Sequence, residues 1–253
     1  MEVFGDVYAT VYDTLYKDKD YESECNFIEQ IFANYSRKVR SILNLGCGTG
    51  GHDLILSKRG YKIVGVDRSK KMLEIARDKA KKNKLDIDFV EGDITDIALD
   101  KKFDAVISMF AVMSYQTTNY AVASTCLTAK KHLSPGGVFI FDCWYGPAVL
   151  LEKPNVKIKE INLNKNEKII RFTEPILNIF DHTVEIRFKV LTIKNDTIVN
   201  ETKESHLMRF FFPQEIKYFL EVAGFKKVEL CPFLELGKSL TEQDWNMTVI
   251  AKT

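Results

Sequence analysis

At 253 residues, with 45% hydrophobic and 28% charged residues, the chain has the make-up of a globular protein with a substantial core: one large α/β domain, or one domain plus a lid. The 36 basic and 35 acidic residues leave a formal charge of +1, so no global field draws it toward nucleic acid or an anionic membrane. Five scattered cysteines (Cys25, Cys47, Cys126, Cys143, Cys231) form no C-x-x-C pair, which argues against a zinc site or a disulfide framework and for a reducing compartment. The first residues, MEVFGDVYATVYD, carry no basic-then-apolar signal, and no stretch reaches bilayer-spanning length, so the expected location is cytoplasmic.

Residues 1–37 are expected to form an N-terminal helical cap. Tyr8, Tyr12 and Tyr16 are spaced four apart and share one face of a helix. That face either packs on the domain or caps an active site with phenol hydroxyls. Phe27, Ile28, Ile31, Phe32 and Tyr35 give the next segment, Glu22–Tyr35, an amphipathic helical period.

The central stretch is Ser41–Asp67. The apolar run Ile42-Leu43-Asn44-Leu45 reads as a buried strand and breaks into Gly46-Cys47-Gly48-Thr49-Gly50-Gly51. An amphipathic segment follows, Gly60 stops it, and Tyr61–Val66 reads as a second strand ending at Asp67. This strand–glycine turn–helix–strand unit has the size of one βαβ half. Its glycines admit positive φ and let the backbone approach a ligand, while the following helix turns its free N–H groups toward that ligand. Asp67, 21 residues after Gly46, sits where a carboxylate accepts ribose hydroxyls, so a nucleoside is the expected ligand. The spacing is not the G-x-G-x-x-G of dinucleotide sites.

Ser69 is the expected N-cap of a helix over Lys70–Lys81. Ile87–Glu91 and Asp104–Phe110 read as strands, residues 118–132 as a helix, Pro135-Gly136-Gly137 as a turn and Val138–Asp142 as the fifth strand. After Pro147 the pattern becomes alternating. Val156–Ile161, Lys168–Phe172, Thr183–Thr192 and Thr197–Arg209 read as strands of a small antiparallel sheet, with a hairpin at Asn195-Asp196. Phe212-Pro213-Gln214 opens a helix that Gly224 stops, and Phe225–Cys231 with Asn246–Ala251 reads as a closing antiparallel pair.

The glycine segment resembles motif I of the class I S-adenosylmethionine-dependent methyltransferases, and four later landmarks agree in order: Val66-Asp67 with Ser69, Val90-Glu91-Gly92-Asp93, Phe103–Ser108 and Leu133-Ser134-Pro135-Gly136-Gly137. The resemblance covers roughly residues 38–145. Asn44 stands where that family usually has an acid. The resemblance implies a Rossmann-like α/β class I methyltransferase fold, a seven-stranded mostly parallel sheet with an inserted antiparallel lid sheet. The implied core is 38–147 plus 211–253, and the implied lid is 148–210. The implied cofactor is S-adenosyl-L-methionine, with S-adenosyl-L-homocysteine as product.

For the cofactor, the resemblance points to the cradle Gly46, Gly48 and Gly50, with Cys47 as the small residue within it. Asp67 is implied as the ribose acid, Asp93 for the adenine amino group, Ile94 and Arg68 beside adenine, and Met109 near the methionine moiety. Tyr12-Asp13-x-x-Tyr16, Lys19-Asp20-Tyr21, Ser108-Met109-Phe110, Trp144-Tyr145 and His206-Leu-x-x-Phe210 are similar to the nucleotide-linked amino-sugar N-methyltransferases, with glycine N-methyltransferase more distant. That branch implies Tyr16 and Tyr115 as acceptor-facing residues and Tyr21 beside the methionine part. It usually carries a phosphate-binding arginine in the last strand, where this chain reads Asp244-Trp245-Asn246-Met247-Thr248-Val249. His182 and His206 read as structural histidines, and Trp144 either lines a pocket or packs the lid.

The expected activity is methyl transfer to a small-molecule acceptor, an amine above others, without metal, nucleic acid or membrane; a homodimer is left open. The rival readings are methylation of RNA or protein, a nicotinamide-dependent oxidoreductase on the same half-fold, and a cofactor-binding protein without catalysis.

Overall fold

The computed structural model describes residues 5–35 and 38–253, so the expected cap over 1–37 falls partly outside the described residues. In chain order, α1 (Asp6–Leu15) and α2 (Tyr21–Tyr35) lead into β1 (Ser41–Leu45), α3 (Gly51–Lys58), β2 (Lys62–Asp67), α4 (Lys70–Lys82), β3 (Asp88–Glu91) and β4 (Phe103–Ser108). A 3-10 turn at Val112–Tyr115 precedes α5 (Asn119–His132), β5 (Leu133–Tyr145) and α6 (Gly146–Glu152). Then come β6 (Lys157–Asn164), β7 (Glu167–Asn178), β8 (Thr183–Lys194), β9 (Thr197–Phe211), α7 (Pro213–Val222), β10 (Lys227–Pro232) and β11 (Asn246–Lys252).

Strands β3-β2-β1-β4-β5-β11-β10 form a seven-stranded sheet in that order. β3 through β5 pair in parallel, and β11 runs antiparallel to both β5 and β10. The inner strands β1 and β4 are apolar runs buried along nearly their whole length, as a sheet covered by helices on both faces requires. The chain leaves β1 toward β2 on one side and returns to β4 on the other. The crevice at the carboxyl ends of β1 and β4 is therefore the topological switch point.

Strands β6 to β9 form an antiparallel meander, joined to the core sheet through Trp144↔Phe210 and Tyr145↔Phe211. The β8–β9 hairpin closes on Asn195 (φ 48°) and Asp196 (φ 58°), the two left-handed residues that a two-residue turn matching strand twist demands. Its inner face packs on α1: Tyr8 and Tyr12 lie in one apolar cluster with Ile186, Phe188, Met208 and Phe210. Tyr8 stacks on Phe188 at 5.8 Å.

Two details differ from the sequence reading. The Pro135-Gly136-Gly137 turn is a bulge inside a longer β5: the partner of Phe103 is Leu133 while that of Ala105 is Val138, and Gly136 takes φ +79°. Residues expected to begin the lid instead form α6, with a proline in its first turn.

Two buried carboxyls brace the switch point. Asp53 of α3 accepts from Asn44 Nδ2 at 2.8 Å. Asp142 of β5 accepts from the Ala111 backbone at 2.9 Å, which pins the consecutive left-handed residues Phe110 (φ 69°) and Ala111 (φ 55°). Burial pushes both carboxyls up to about 7, only partly opposed by those hydrogen bonds. The folded protein therefore holds both protons more tightly than the unfolded chain does. The stability they contribute is fully present below the ordinary carboxylate range and is lost as pH rises through about 7. In urea titrations of the Asp53→Asn/Asp142→Asn variant, the fall in stability between pH 5 and pH 8 should be shallower than in the parent. Parallel curves would contradict the assignment.

Candidate functional site

A cavity of about 400 Å³ lies at the switch point, between the core sheet, the N-terminal helices and the lid sheet. Its floor is the turn after β1. Gly46 (φ +81°) and Cys47 donate to the Val66 carbonyl at 2.8 and 2.9 Å, which folds the turn back on β2. Gly48 (φ +56°) donates to Asp67 Oδ2 at 2.8 Å, and the other oxygen, Oδ1, accepts from Ser69 N at 2.9 Å. One carboxylate thus ties the glycine turn to the start of α4, whose N-cap is Ser69. Burial raises the Asp67 carboxyl, and these backbone donors act against that rise. A side chain at Gly48 would meet nothing within 4 Å, because the cavity lies there; one at Gly46 would strike Val112 at 2.4 Å.

Tyr21 closes one side, its ring so near Gly51 that any Cβ there would lie 2.5 Å from it. The ring also stands edge-on to His52 at 5.0 Å. His52 Nε2 lies 2.7 Å from the buried carboxyl of Glu24, which also pairs with Lys19. Burial opposes charge on Glu24, but the His52 and Lys19 donors hold it below the usual carboxylate range, and burial pushes His52 down. The pair is a neutral imidazole donating to a carboxylate, and it locks α2 to α3.

Arg68, Asp93, Ile94, Met109, Phe110 and Tyr115 supply further lining. Asp93 also caps its own turn, with Oδ1 accepting from Thr95 N at 2.9 Å. Gly50 does not line the cavity. It is the left-handed residue ahead of α3 (φ +77°), packed close to Phe89 and Ala76, and its role is conformational. Of the other sequence-derived residues, Tyr16, Tyr21, Gly46, Cys47, Gly48 and Asp67 all reach the cavity. Trp144 lines it as well, set edge-on to Trp245 at 5.5 Å.

The roof brings together residues remote in sequence. Tyr115 Oη lies 2.8 Å from His206 Nδ1, and His206 Nε2 lies 2.8 Å from Glu204 Oε2. Glu204 Oε1 accepts from Gly5 N at 2.9 Å. Burial raises the Tyr115 phenol far above its ordinary range, so it stays protonated. Tyr16 sits edge-on to Phe110 at 5.1 Å and accepts from Arg171 Nη1 at 3.2 Å. His206 was expected to be structural; it is satisfied on both nitrogens and lines the cavity too. His182 lies outside this cavity, near Glu215. The sequence reading also missed Arg171, Trp245 and Asn246. A short strand alternation places Arg171 and His206 on one sheet face, but nothing local says which face is turned inward. Among the described residues there is no cluster fit to hold a metal ion, and no helix is long and apolar enough to cross a membrane.

A glycine turn at the switch point, an acid ending the second strand and an antiparallel seventh strand define the class I methyltransferase fold. A methyltransferase domain family matches residues 42–137. Residues 42–137 thus carry a methyltransferase domain, and the chain as a whole is similar to S-adenosylmethionine-dependent methyltransferases. It is 33% identical over 142 residues to a dTDP-3-amino-3,4,6-trideoxy-alpha-D-glucopyranose N,N-dimethyltransferase of Streptomyces venezuelae; that match covers 55% of this chain and only 58% of the relative. It is 24% identical over 241 residues to a dTDP-4-amino-2,3,4,6-tetradeoxy-D-glucose N,N-dimethyltransferase of Saccharopolyspora spinosa, covering 94% and 92%. An S-adenosylmethionine-dependent methyltransferase of Clostridium acetobutylicum superposes with a TM-score of 0.83 at 21% identity, over 98% of each chain, and shares the fold.

The two turn glycines should separate stability from binding. Gly48→Ala costs about 1–2 kcal/mol of left-handed strain and fills ligand space. Gly46→Ala adds an overlap with Val112 worth about 1–3 kcal/mol. Thermal unfolding should therefore show Gly46→Ala as the less stable variant, partly rescued by Val112→Ala, while calorimetry with S-adenosylhomocysteine shows Gly48→Ala folded but weak in binding. Equal unfolding of both would contradict this account.

Proposed function

We propose that the protein methylates the amine of a small molecule, an amino sugar or a compound like one, using S-adenosylmethionine as donor. The observation that carries this reading is a partly open cavity with a nucleoside cradle at one end and the Tyr115–His206–Glu204 chain at the other. The amino-sugar substrates named for the relatives support an amine acceptor. A cavity of about 400 Å³ is of a size for a small molecule, and the five free, buried cysteines suit a cytoplasmic setting.

The cradle fits the donor. Gly48 leaves open space at its Cα, so a ligand can lie directly on the backbone there. In this reading Asp67, held by Gly48 and Ser69, accepts the ribose hydroxyls with its remaining lone pairs. Asp93 takes the adenine amino group with Ile94 and Arg68 beside the ring. Gly46 and Cys47 flank the amino-acid part, with Tyr21 and Met109 toward the sulfonium. When bound, the donor supplies an electrophilic methyl group that is displaced in line by a lone pair.

An amine must be neutral to offer that lone pair, and most aliphatic amines are protonated near neutral pH. With His206 Nε2–H donating to Glu204, Nδ1 is free to accept from the Tyr115 hydroxyl, a tautomer assigned from its partners. The phenol oxygen then receives a proton from the ammonium as its own passes to His206, and the Glu204 carboxylate stabilises the imidazolium. Because the phenol resists ionisation, transfer through Tyr115 is concerted with uptake by His206. Tyr16 and Phe110 wall the acceptor and exclude water.

Tyr115→Phe and His206→Gln should each lower kcat on an amine acceptor about 10- to 100-fold. Each should move the acid limb of the pH–rate profile upward and leave S-adenosylhomocysteine affinity unchanged. Asp67→Ala should do the reverse to that affinity. If Tyr16→Phe and Tyr115→Phe both turn over at the parental rate, the acceptor end has been wrongly placed.

A further inference from the structure

The lid sheet holds α1 at both ends, each time with a side chain of matching charge. At the start of the helix, Gly5 N donates to Glu204 Oε1 of β9 at 2.9 Å. At its end, Lys159 of β6 donates through Nζ to the Leu15 carbonyl at 2.8 Å. An acid at the N-terminus and a base at the C-terminus suit the helix dipole and satisfy groups that the helix leaves open. Between these ends Tyr8, Ala9 and Leu15 share an apolar cluster with Ile186 and Phe188 of the lid, and that cluster touches the core at Met72 and Ala111.

Asp13 breaks this pattern. It stands in the last turn of α1, where the dipole disfavours a carboxylate, and that turn holds no base. Its partners lie across the gap, in the floor. Asp13 Oδ1 accepts from Thr49 Oγ1 at 2.7 Å, and Oδ2 pairs with Lys79 of α4 at 2.5 Å. Lys79 Nζ also donates to Thr49 Oγ1 at 3.0 Å and to the Thr49 carbonyl at 3.3 Å. The Thr49 hydroxyl thus gives its one proton to Asp13 and takes Lys79 on a lone pair, so the three side chains satisfy one another. Thr49 is buried, between Gly48 and Gly50, in the turn that lines the donor end of the cavity. Asp13 is not among the lining residues, but Tyr12 and Tyr16 of the same helix segment are. Asp13 and Lys79 stay partly exposed, and such an ion pair adds little stability of its own. The contact is suited to setting the register of two bodies, not to holding the fold together.

We propose that Asp13 is a positioning residue: through Thr49 it registers α1, and with it the Tyr16 wall and the lid, against the donor turn, so that donor binding and closure of the acceptor end are one coupled step. This rests on the methyltransferase reading above. A donor lying on Gly48 meets the Tyr12 and Tyr16 side of the cavity only while α1 is docked. It therefore binds the docked state more tightly and shifts the molecule toward it. By reciprocity, docking raises donor affinity by the same factor.

The test is amide hydrogen exchange of the full chain with and without saturating S-adenosylhomocysteine, read over residues 8–16 and over the glycine turn, together with the dissociation rate of that ligand. In the parent the ligand should slow exchange tenfold or more in both segments. In Asp13→Ala the turn should still be slowed, while exchange in α1 should change less than twofold on adding ligand, and the ligand should leave at least fivefold faster. Thr49→Val breaks the same contact from the floor with the α1 sequence intact, and it should repeat the loss of ligand-induced slowing in α1. Asp13→Asn keeps the accepting oxygen but not the ion pair and should fall between. A merely structural Asp13 would speed exchange in α1 and leave the ligand-induced slowing at its parental size. That result in Thr49→Val, or a parent whose α1 exchange ignores the ligand, overturns the coupling and leaves the methyltransferase reading intact. Failure of the parent to bind S-adenosylhomocysteine would instead overturn that reading.

Discussion

The site depends on one carboxylate. Asp67 ends β2 and accepts from Gly48 on one oxygen and Ser69 on the other. Those two bonds set the opening of the glycine turn and the direction in which α4 leaves the sheet. The turn can fold over so closely only because Gly46 has no side chain to meet Val112. Everything else around the cavity is placed against this floor: the strained Phe110-Ala111 step held by Asp142, the 3-10 turn bearing Tyr115, and the Tyr21 ring lying on Gly51.

The roof rests on a different force. The lid sheet and α1 bury a shared apolar face, with Tyr8, Leu15, Phe188 and Phe210 among its members. Burial of aromatic surface supplies the stability there. It also lets polar groups survive in the same layer, because His206, Glu204 and Tyr115 satisfy one another and are shielded by rings. Tyr8, Tyr12 and Tyr16 show how one helix can serve packing and site together. Tyr8 and Tyr12 are buried against the lid, while Tyr12 and Tyr16 also face the cavity.

Much of the floor was legible in the sequence because its signals are local. The glycine turn, the acid at the end of the next strand and the Ser69 cap all lie within one βαβ half, and the Asn195-Asp196 hairpin announces itself by residue type. The roof was less legible because its contacts are remote. Tyr115 meets His206 across 91 residues, and Arg171 meets Tyr16 across 155. Alternation in a strand shows two faces without naming the inner one. Asn44 read as a lost charge, yet its partner Asp53, from the following helix, puts a carboxyl beside the same strand. The Pro-Gly-Gly segment read as a turn and is a bulge, since β11 keeps pairing with β5 just beyond it.

The central claim is methyl transfer to a small amine, and the most direct measurement follows the methyl group. The protein would be incubated with methyl-labelled S-adenosylmethionine and a small-molecule extract of the source cells, and the label traced by mass spectrometry. The account predicts label on the nitrogen of a small molecule, with a matching yield of S-adenosylhomocysteine. Label confined to RNA or protein would contradict it.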